Sequence, residues 1–510
     1  MKKIRIIALM LALLTIASVL VSCKKGEENT DDTTGSADTT VSTEPSDTND
    51  VLDVEDDLPE KMDFGGRVFN FLARVEGNIK NCEITAESTS GNNVDSAVYQ
   101  RNLAIQERLN CVINPIMEQG TLDTLDVVND KIYQNELSGA KEFDVCASMS
   151  SSMVALAYQG CLTNLNGLQY VNTQKDYWSD GFREALGVGD TQYFVTGPMS
   201  LSYYRYMFVT LFNKDLFNDN NQESLYGVVE RGEWTIEKME QIASNFYFDF
   251  NGNGDHDKED SYGYYTHVGS DSSMMDGFWE CFGLRIVQKG DVEGFGANYY
   301  TYNFEAEKFV NAVDGVIKLI NSEGSFAAPS PTVTLNEVTR AFSSGQSAMI
   351  TVRLNTVEKL TNMKDGYGIV PLPKLSAQDD YATSIQAECL LFAIPNTVND
   401  VEEIGAFLEC FGSTSYKTVR PAYYEKALTG RYAQDPESVA NLDLVAHSVF
   451  VDPINYYRTF TFNRETIRNL YVTRLNTISS TVARYRTEIK TGIDTINQHY
   501  YDVSRAQGAA

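Results

Sequence analysis

An acidic loop at residues 249–260 carries the side chains whose types and spacing most clearly indicate chemistry, namely the binding of a metal ion. The segment reads DFNGNGDHDKED, with oxygen-bearing side chains at alternating positions. Calcium prefers six to eight oxygen ligands at about 2.3–2.6 Å, supplied by a loop that folds back on itself. The candidate metal ligands are Asp249, Asn251, Asn253, Asp255 (through its backbone carbonyl), Asp257 and Asp260. The sequence therefore predicts a structural calcium ion that holds this loop.

The twelfth position of the loop leaves an alternative open. Gly254 stands at the sixth position, where an EF-hand needs a tight turn, but Asp260 stands where an EF-hand has glutamate. The shorter side chain brings two oxygens to a metal less readily. The alternative is a surface turn rich in Asn and Gly that holds no metal.

Motifs for covalent catalysis are missing from the sequence. It contains no G-x-S-x-G, H-E-x-x-H or P-loop motif, and no G-x-G-x-x-G follows a strand. The four histidines, at positions 256, 267, 447 and 499, have no suitably spaced partner. Two carboxylates suffice to hydrolyse a glycosidic bond, so a secreted glycan-acting hydrolase stays an alternative. We expect a binding protein rather than an enzyme.

The N-terminus indicates export from the cytoplasm. A basic start is followed by an uncharged apolar run, Ile6–Val21, which is typical of a secretory signal peptide at residues 1–22. The run is at the short end of the roughly 17–25 residues that span a bilayer. Leu20-Val21-Ser22-Cys23 resembles the lipobox of bacterial lipoproteins, which implies cleavage before Cys23 and its acylation. An ordinary signal peptide with an incidental cysteine is the alternative.

The charge of the chain is uneven. The 510 residues carry a net charge of −29, and Gly26–Asp63 holds fourteen acidic residues against one lysine. Such a stretch cannot bury enough apolar surface to order itself, so residues 23–63 are predicted to be an acylated cysteine followed by a disordered linker. The acidity also argues against nucleic acid as a partner, because phosphate binding needs a basic face.

The remaining cysteines do not indicate a metal or redox site. Seven follow Cys23, and none forms a C-x-x-C pair. Most stand in apolar segments, which predicts buried small residues.

The folded part begins with alternating strands and helices. Strands are predicted at 67–72, 111–116 and 143–147, with helices at 95–110 and 123–138 between them. This order predicts a parallel α/β sheet with ligands beyond the carboxyl ends of its strands. Ser150 and Ser151 follow the third strand, either as ligand contacts or as caps of the next helix. The apolar run 203–211 predicts a further strand.

A series of short motifs then follows in a specific order. They are Phe143–Cys146, Gly160–Leu165, Gly197-Pro198, Asn213–Phe217, Trp234-Thr235, Ala341–Met349, Tyr367–Pro373 and Phe392–Pro395. In this order the chain resembles, over about residues 64–408, the extracellular solute-binding proteins of ABC importers, a group that includes sugar receptors. The resemblance implies an α/β, two-lobed periplasmic-binding-protein type 2 fold with a hinge and an interlobe cleft. It places the second crossing between the lobes at Tyr367–Pro373.

The same resemblance implies lobe boundaries. The N-terminal lobe would comprise residues 64–205 and 371–420, and the C-terminal lobe residues 206–370 and 421–505. Helices are expected near 435–447 and 464–500.

The resemblance also implies a ligand and where it binds. A sugar is held by aromatic faces and planar polar groups. The candidate contacts are Ser150, Ser151, Tyr203, Tyr204, Trp279, Arg353, Asn355 and Glu388. Arg353 departs from the family's pattern of glycine and aromatic residues, and an arginine favours a carboxylated or phosphorylated ligand. It could equally lie on the surface or pair with Glu388 across the cleft.

The expected function is therefore that of a monomeric receptor, lipid-anchored on the extracytoplasmic face of the cell membrane. It would bind a small solute, a sugar or oligosaccharide, and deliver it to an ABC permease. A ligand-sensing subunit of a membrane signalling system remains an alternative that the sequence does not separate from transport.

Overall fold

The computed structural model describes residues 55–75, 83–87, 93–120, 125–428 and 436–508. The predicted signal peptide, Cys23 and the linker up to residue 54 lie outside these ranges. Residues 55–63, predicted to belong to a disordered linker, are instead packed on the folded unit. Asp56 accepts two hydrogen bonds of 2.7 Å from the guanidinium of Arg108, and Leu58 is buried. The prediction is wrong here because Asp56 is buried as the partner of Arg108, which is 31% exposed, and Leu58 is buried beside it in the chain.

Eleven strands form the sheets of the described residues. They are β1 (Arg67–Val75), β2 (Cys111–Gln119), β3 (Val145–Met149), β4 (Phe208–Asn213), β5 (Tyr262–His267), β6 (Val287–Val292), β7 (Gly296–Tyr302), β8 (Ser325–Ala328), β9 (Ser347–Arg353), β10 (Tyr367–Val370) and β11 (Leu390–Ala393).

Fifteen α-helices accompany them in the same ranges. They are α1 (Asn93–Leu109), α2 (Leu125–Ser138), α3 (Ser150–Tyr158), α4 (Asp180–Leu186), α5 (Leu201–Tyr206), α6 (Lys214–Asp219), α7 (Leu225–Glu230), α8 (Ile236–Ala243), α9 (Gly277–Glu280), α10 (Ala306–Asn321), α11 (Leu335–Ser343), α12 (Val401–Leu428), α13 (Pro436–His447), α14 (Arg464–Thr473) and α15 (Ile478–Gly508).

The first sheet has four strands in the order β11-β3-β1-β2. β1 pairs in parallel with β2 and β3, and β11 joins β3 antiparallel. The predicted alternation of strands and helices is confirmed, because α1 and α2 connect these parallel strands. α1 and α12 enclose a core in which Phe69 stacks on Phe407, with ring centroids 4.4 Å apart, whereas the buried residues of α2 belong to the other hydrophobic cluster.

The second sheet has five strands in the order β10-β4-β9-β5-β8. β5 pairs in parallel with β8 and β9, whereas β4 pairs antiparallel with β9 and β10. Gly263 in β5 allows close packing on the end of α8, because a Cβ there would stand 2.1 Å from the carbonyl oxygen of Ala243. The larger of the two hydrophobic clusters extends over both sheets, from Leu72 in β1 to Ile350 in β9, and the other lies on the first sheet around Phe71.

Two extended segments connect the sheets and run antiparallel to each other. Met207 and Ile385 form an isolated bridge, the Phe208 N–H donates to the Ser384 carbonyl, and the Gln386 N–H donates to the Tyr206 carbonyl, both at 3.0 Å. The second crossing therefore lies at 384–386, later than the predicted Tyr367–Pro373, because 367–370 pairs fully with β4. The predicted lobe boundaries remain a prediction.

The apolar run 203–211 is not one strand, contrary to prediction. Its first half belongs to α5 and its second half to β4. Apart from Arg205 and Tyr206, which are half-buried, the run is buried, so it lacks the alternation of exposed and buried residues that separates helix from strand in a sequence. Tertiary packing decided the conformation.

The C-terminal part adds further helices to the fold. α15 packs on β7 and α10, and His499 of α15 lies 4.1 Å from the ring of Tyr158 at the end of α3. The helix predicted near 464–500 is two helices, because Arg474 between them adopts a left-handed φ of 55°.

The six described cysteines after Cys23 are buried, as predicted, and none of these six forms a disulfide, a point that the sequence left open. No helix in the described ranges is long and apolar enough to cross a membrane.

Candidate ligand-binding site

A cavity of about 460 Å³ lies between the two main sheets. Its lining residues are Arg74, Val75, Glu83, Ile84, Leu201, Ser202, Arg205, Tyr206, Asn355, Glu358, Lys359, Glu388 and Leu390. Arg74 and Val75 end β1, and Leu390 begins β11, so one wall belongs to the first sheet. The opposite wall is the short 3₁₀ segment Leu354–Lys359, which follows β9 of the second sheet.

The position of the cavity follows from the sheet topology. β1 ends at Val75 and β9 ends at Arg353, so both walls stand at carboxyl ends of strands. In α/β sheets, ligands bind in the crevice outside these ends, where the connecting loops diverge. The antiparallel crossing at Met207 and Ile385 connects the two walls.

The lining contains equal numbers of charges of each sign. Three residues are basic (Arg74, Arg205, Lys359) and three are acidic (Glu83, Glu358, Glu388). The guanidinium of Arg205 donates to both carboxylate oxygens of Glu358, at 3.0 and 3.3 Å. Burial by itself lowers the pKa of Arg205, but the charge and hydrogen bonds of Glu358 outweigh it, so the pKa lies above its ordinary value.

Arg353 and Glu388 meet across the cleft. Nη1 of Arg353 lies 3.7 Å from Oε1 of Glu388, and the arginine also lies over the ring of Tyr206, 5.8 Å from its centroid. This pair was one of the alternatives open for Arg353. At 3.7 Å this contact is an ion pair without a short hydrogen bond. A ligand group that binds Arg353 or Glu388 would therefore have only a weak interaction to replace.

A second, smaller cavity of about 270 Å³ lies beside Arg353. His267 forms part of its wall, with Nε2 3.4 Å from a carboxylate oxygen of Asp271. Burial lowers the pKa of His267, although Asp271 opposes this effect. The lining also includes the hydroxyl groups of Ser330 and Thr334.

The structure brings together three of the eight predicted contact residues. Asn355 and Glu388 line the main cavity, and Arg353 reaches it through Glu388. Arg353 ends β9 and Asn355 follows it, in the segment that the resemblance implied, and Glu388 shortly precedes β11. Their role toward a ligand remains a prediction.

The three predicted aromatic contacts lie elsewhere. Tyr203 is 1% exposed, and its hydroxyl donates to the carbonyl of Ala446 at 2.8 Å. Tyr204 stacks on Tyr423, and Trp279 packs edge-to-face on Phe309 of α10. Burial in the cores keeps these rings out of the cavity lining in this conformation.

The two predicted serines are also apart from the cavity lining. Ser150 is buried, and its hydroxyl donates to the carbonyl of Ala387 at 2.8 Å. Ser151 is half-buried in the first turn of α3. The alternative role as a helix cap is not observed either, because Met149 is the N-cap and no side chain caps α3.

Several lining residues escaped the sequence analysis. They are Arg74, Glu83, Ser202, Arg205, Tyr206, Glu358 and Lys359. Arg74 stands at the carboxyl end of the first predicted strand, which was a usable signal. The others come from loops and short helices whose position depends on the crossing of the chain between the sheets.

The acidic loop folds around its own side chains. Asp249 accepts hydrogen bonds from the N–H groups of Gly252 and Gly254, at 2.7 and 2.9 Å. Oδ1 of Asp257 accepts a hydrogen bond from the N–H of Glu259. Asp260 is fully buried and accepts a hydrogen bond from the N–H of Phe250. These carboxylates stabilise turns as the metal-free alternative requires.

Metal binding by this loop remains a prediction. In the described residues, no three or more His, Cys, Asp or Glu side chains are grouped so that they could hold a metal ion. Amide and backbone oxygens also bind calcium, so this finding does not count all the predicted ligands. The amide groups of Asn251 and Asn253 donate to the same oxygen of Asp257, at 3.3 and 2.9 Å.

Comparisons with known proteins identify the fold. No family model matches the sequence, and no curated protein sequence matches it. Solved structures do match in shape. The sugar-binding protein MalE of Xanthomonas citri aligns with a TM-score of 0.53 and 13% identity, over 86% of this chain and 98% of that one.

Two further structures agree. A cyclo/maltodextrin-binding protein complexed with maltotetraose aligns with a TM-score of 0.52 and 13% identity, over 85% of this chain and 97% of that one. The maltose-binding MalE of Listeria monocytogenes aligns with a TM-score of 0.52 and 10% identity, over 85% and 98%. The implied fold class is confirmed: the chain has the α/β fold of the maltose-binding solute-binding proteins.

Proposed function

We propose that this protein is an extracytoplasmic receptor that binds a small saccharide in the cleft between its sheets, without altering it, and delivers it to an ABC permease. The observation that carries the proposal is the cavity of about 460 Å³ at the carboxyl ends of β1 and β9. Proteins of the same fold are described with maltose and maltotetraose bound. A neutral sugar suits a lining whose acidic and basic residues balance.

The lining provides both parts of sugar recognition. Asn355 offers a donor and an acceptor, and Ser202 offers a hydroxyl group. Val75, Ile84 and Leu390 supply apolar surface for the C–H faces of a sugar. Tyr206 is an aromatic ring in the lining, in place of the three aromatic residues that the sequence analysis named.

A thermal-shift screen of neutral oligosaccharides, followed by calorimetry, tests the proposal. We expect at least one malto-oligosaccharide to raise the melting temperature, and Asn355→Ala to weaken its binding about tenfold or more, since a lost buried hydrogen bond costs on the order of 1–3 kcal/mol. A matched control is Asn476→Ala, which removes an amide from a site near α10. Release of product from any saccharide would instead favour the hydrolase alternative.

The membrane attachment is part of the same proposal. It rests on Leu20-Val21-Ser22-Cys23 and the apolar run before it. The full-length protein is expected in the membrane fraction of a bacterial host, and Cys23→Ser is expected to release it or leave its signal peptide uncleaved. Equal membrane association and equal mass of the two mature forms would contradict acylation.

A further inference from the structure

The second cavity, of about 270 Å³, lies where three neighbouring parallel strands of the second sheet end. β5 stands between β8 and β9 and pairs in parallel with both. His267 ends β5, Arg353 ends β9 and Ser330 follows β8, and all three residues line this cavity. Ligands of α/β proteins bind in the crevice beyond the carboxyl ends of such strands, so the topology favours this cavity as a binding site.

The polar side chains of this cavity are accessible to a molecule inside it. The side chain of Asp271 is 58% exposed, and that of Arg353 is 24% exposed. Ser330 is exposed and Ser273 is half-buried, and both also line the cavity. These four residues therefore offer two hydroxyl groups, a carboxylate and a guanidinium to a ligand.

The charges of this lining balance. Burial lowers the pKa of His267, although Asp271 opposes this effect, so the imidazole ring is largely uncharged at neutral pH. The hydrogen bond with Ser330 lowers the pKa of Asp271, which keeps the carboxylate ionised. Arg353 supplies the positive charge among the lining residues, and Phe208 contributes apolar surface. One charge of each sign, hydroxyl groups and apolar surface suit a neutral ligand rich in hydroxyl groups, which both donate and accept hydrogen bonds.

Arg353 stands between the two cavities. It lines the second cavity, and its guanidinium faces Glu388 and the ring of Tyr206, which both line the main cavity. The ion pair with Glu388 is long, at 3.7 Å, so the guanidinium keeps capacity for hydrogen bonds to a ligand. A ligand chain that passes this side chain can occupy both cavities.

We propose that the second cavity is an additional saccharide subsite, so that the ligand is an oligosaccharide that extends from the main cavity past Arg353. This inference rests on the proposed function and specifies it. The main cavity binds one end of the chain, and the second cavity binds the sugar units beyond Arg353, where Asp271 accepts a hydrogen bond from a sugar hydroxyl. A long saccharide thereby gains contacts that a saccharide confined to the main cavity lacks.

A series of saccharides of increasing length tests the subsite. Calorimetry with maltose, maltotriose, maltotetraose and maltohexaose gives a Kd for each. We expect maltohexaose to bind about tenfold or more tightly than maltose, because hydrogen bonds in the second cavity add to those in the main one.

Two variants locate this gain in the second cavity. Ser273→Trp fills the cavity, and Asp271→Ala removes an exposed acceptor, a surface change with little effect on folding. For both variants we expect the Kd for maltose to stay within about twofold of wild type. The advantage of maltohexaose should vanish in Ser273→Trp and fall about threefold or more in Asp271→Ala.

Ser343→Trp is the matched control. Ser343 is also half-buried, but it ends α11, whose opposite end lines the cavity with Leu335. We expect this variant to keep the full advantage of maltohexaose. Melting temperatures without ligand show whether each variant is folded, and if Ser273→Trp is not, Asp271→Ala decides.

The outcomes separate this inference from the proposed function. Equal Kd values for maltose and maltohexaose in the wild type overturn the subsite and leave the receptor standing. An advantage of maltohexaose that survives unchanged in the folded variants of the second cavity does the same. If no member of the series binds to the wild type, both the proposed function and the subsite fail.

Discussion

A buried ion pair joins the C-terminal helices to the crossing between the sheets, and its removal gives the sharpest prediction. Glu280 is 1% exposed, and one of its oxygens accepts hydrogen bonds from Arg464 at 3.0 Å and from Ser384 at 2.7 Å. Arg464 also donates to the carbonyl of Ile385 at 3.1 Å, inside the second crossing segment. We predict that Arg464→Met destabilises the protein strongly.

The magnitude follows from the contacts left behind. Removing one partner of a buried pair costs about 3–5 kcal/mol of the free energy of unfolding. Glu280 keeps three donors, the Ser384 hydroxyl, the Asp452 N–H and the Asn455 amide, which favours the lower end of that range. The Ile385 carbonyl loses a donor, which adds about 1 kcal/mol. The expected loss is therefore roughly 3–4 kcal/mol.

Urea denaturation measures this loss, because urea does not screen charges. The matched control is Arg340→Met, which removes the same side chain from an exposed pair with Glu337, where the two side chains are 48% and 39% exposed. An exposed pair contributes about 1 kcal/mol or less. Equal losses for the two variants would refute the reasoning. The double variant Glu280→Gln with Arg464→Met should lose less than the sum of the single changes.

Three further predictions concern other parts of the molecule. Burial raises the pKa of Glu409 to about 7, so the folded state holds this proton more tightly than the unfolded chain does. The free energy of unfolding of the wild type therefore falls as the pH rises from about 5 to 8. Relative to wild type, Glu409→Gln should gain up to roughly 3 kcal/mol in urea unfolding over that interval, at about 1.4 kcal/mol per pKa unit. A constant difference at all pH values would contradict this. Calcium should raise the melting temperature of wild type but not of Asp249→Ala, and no shift for wild type would end the calcium proposal. Gly263→Ala should cost 2 kcal/mol or more, at about the scale of an overpacked core, whereas Gly290→Ala, whose Cβ would first meet a threonine methyl at 3.3 Å, should cost less.

The sequence by itself determined the class of fold and the order of its elements. Apolar runs separated by turn residues placed β1, β2 and β3 within a few residues, and their alternation with helices required a parallel sheet. Local periodicity carries this information because one face of each element must be buried. The apolar setting of the cysteines likewise predicted their burial.

Part of the candidate site could also be predicted. Asn355 was named because the family resemblance implies that the segment after Met349 lines the cleft, and Glu388 was named as a possible partner of Arg353; both line the cavity. The aromatic candidates Tyr203, Tyr204 and Trp279 were named by residue type alone. An aromatic ring serves a core as well as it serves a sugar, and the sequence does not contain the exposure that separates the two uses.

Only the tertiary structure decided which side chains line the cavity together. Glu83 and Asn355 are separated by most of the chain, and they share a cavity because the crossing segments at Met207 and Ile385 bring the two sheets together. The same packing turned residues 201–206 into a helix and ordered Asp56 against Arg108. These outcomes depend on contacts between distant segments, whose free energies no local pattern records, whereas strand and helix follow from neighbours within a few residues.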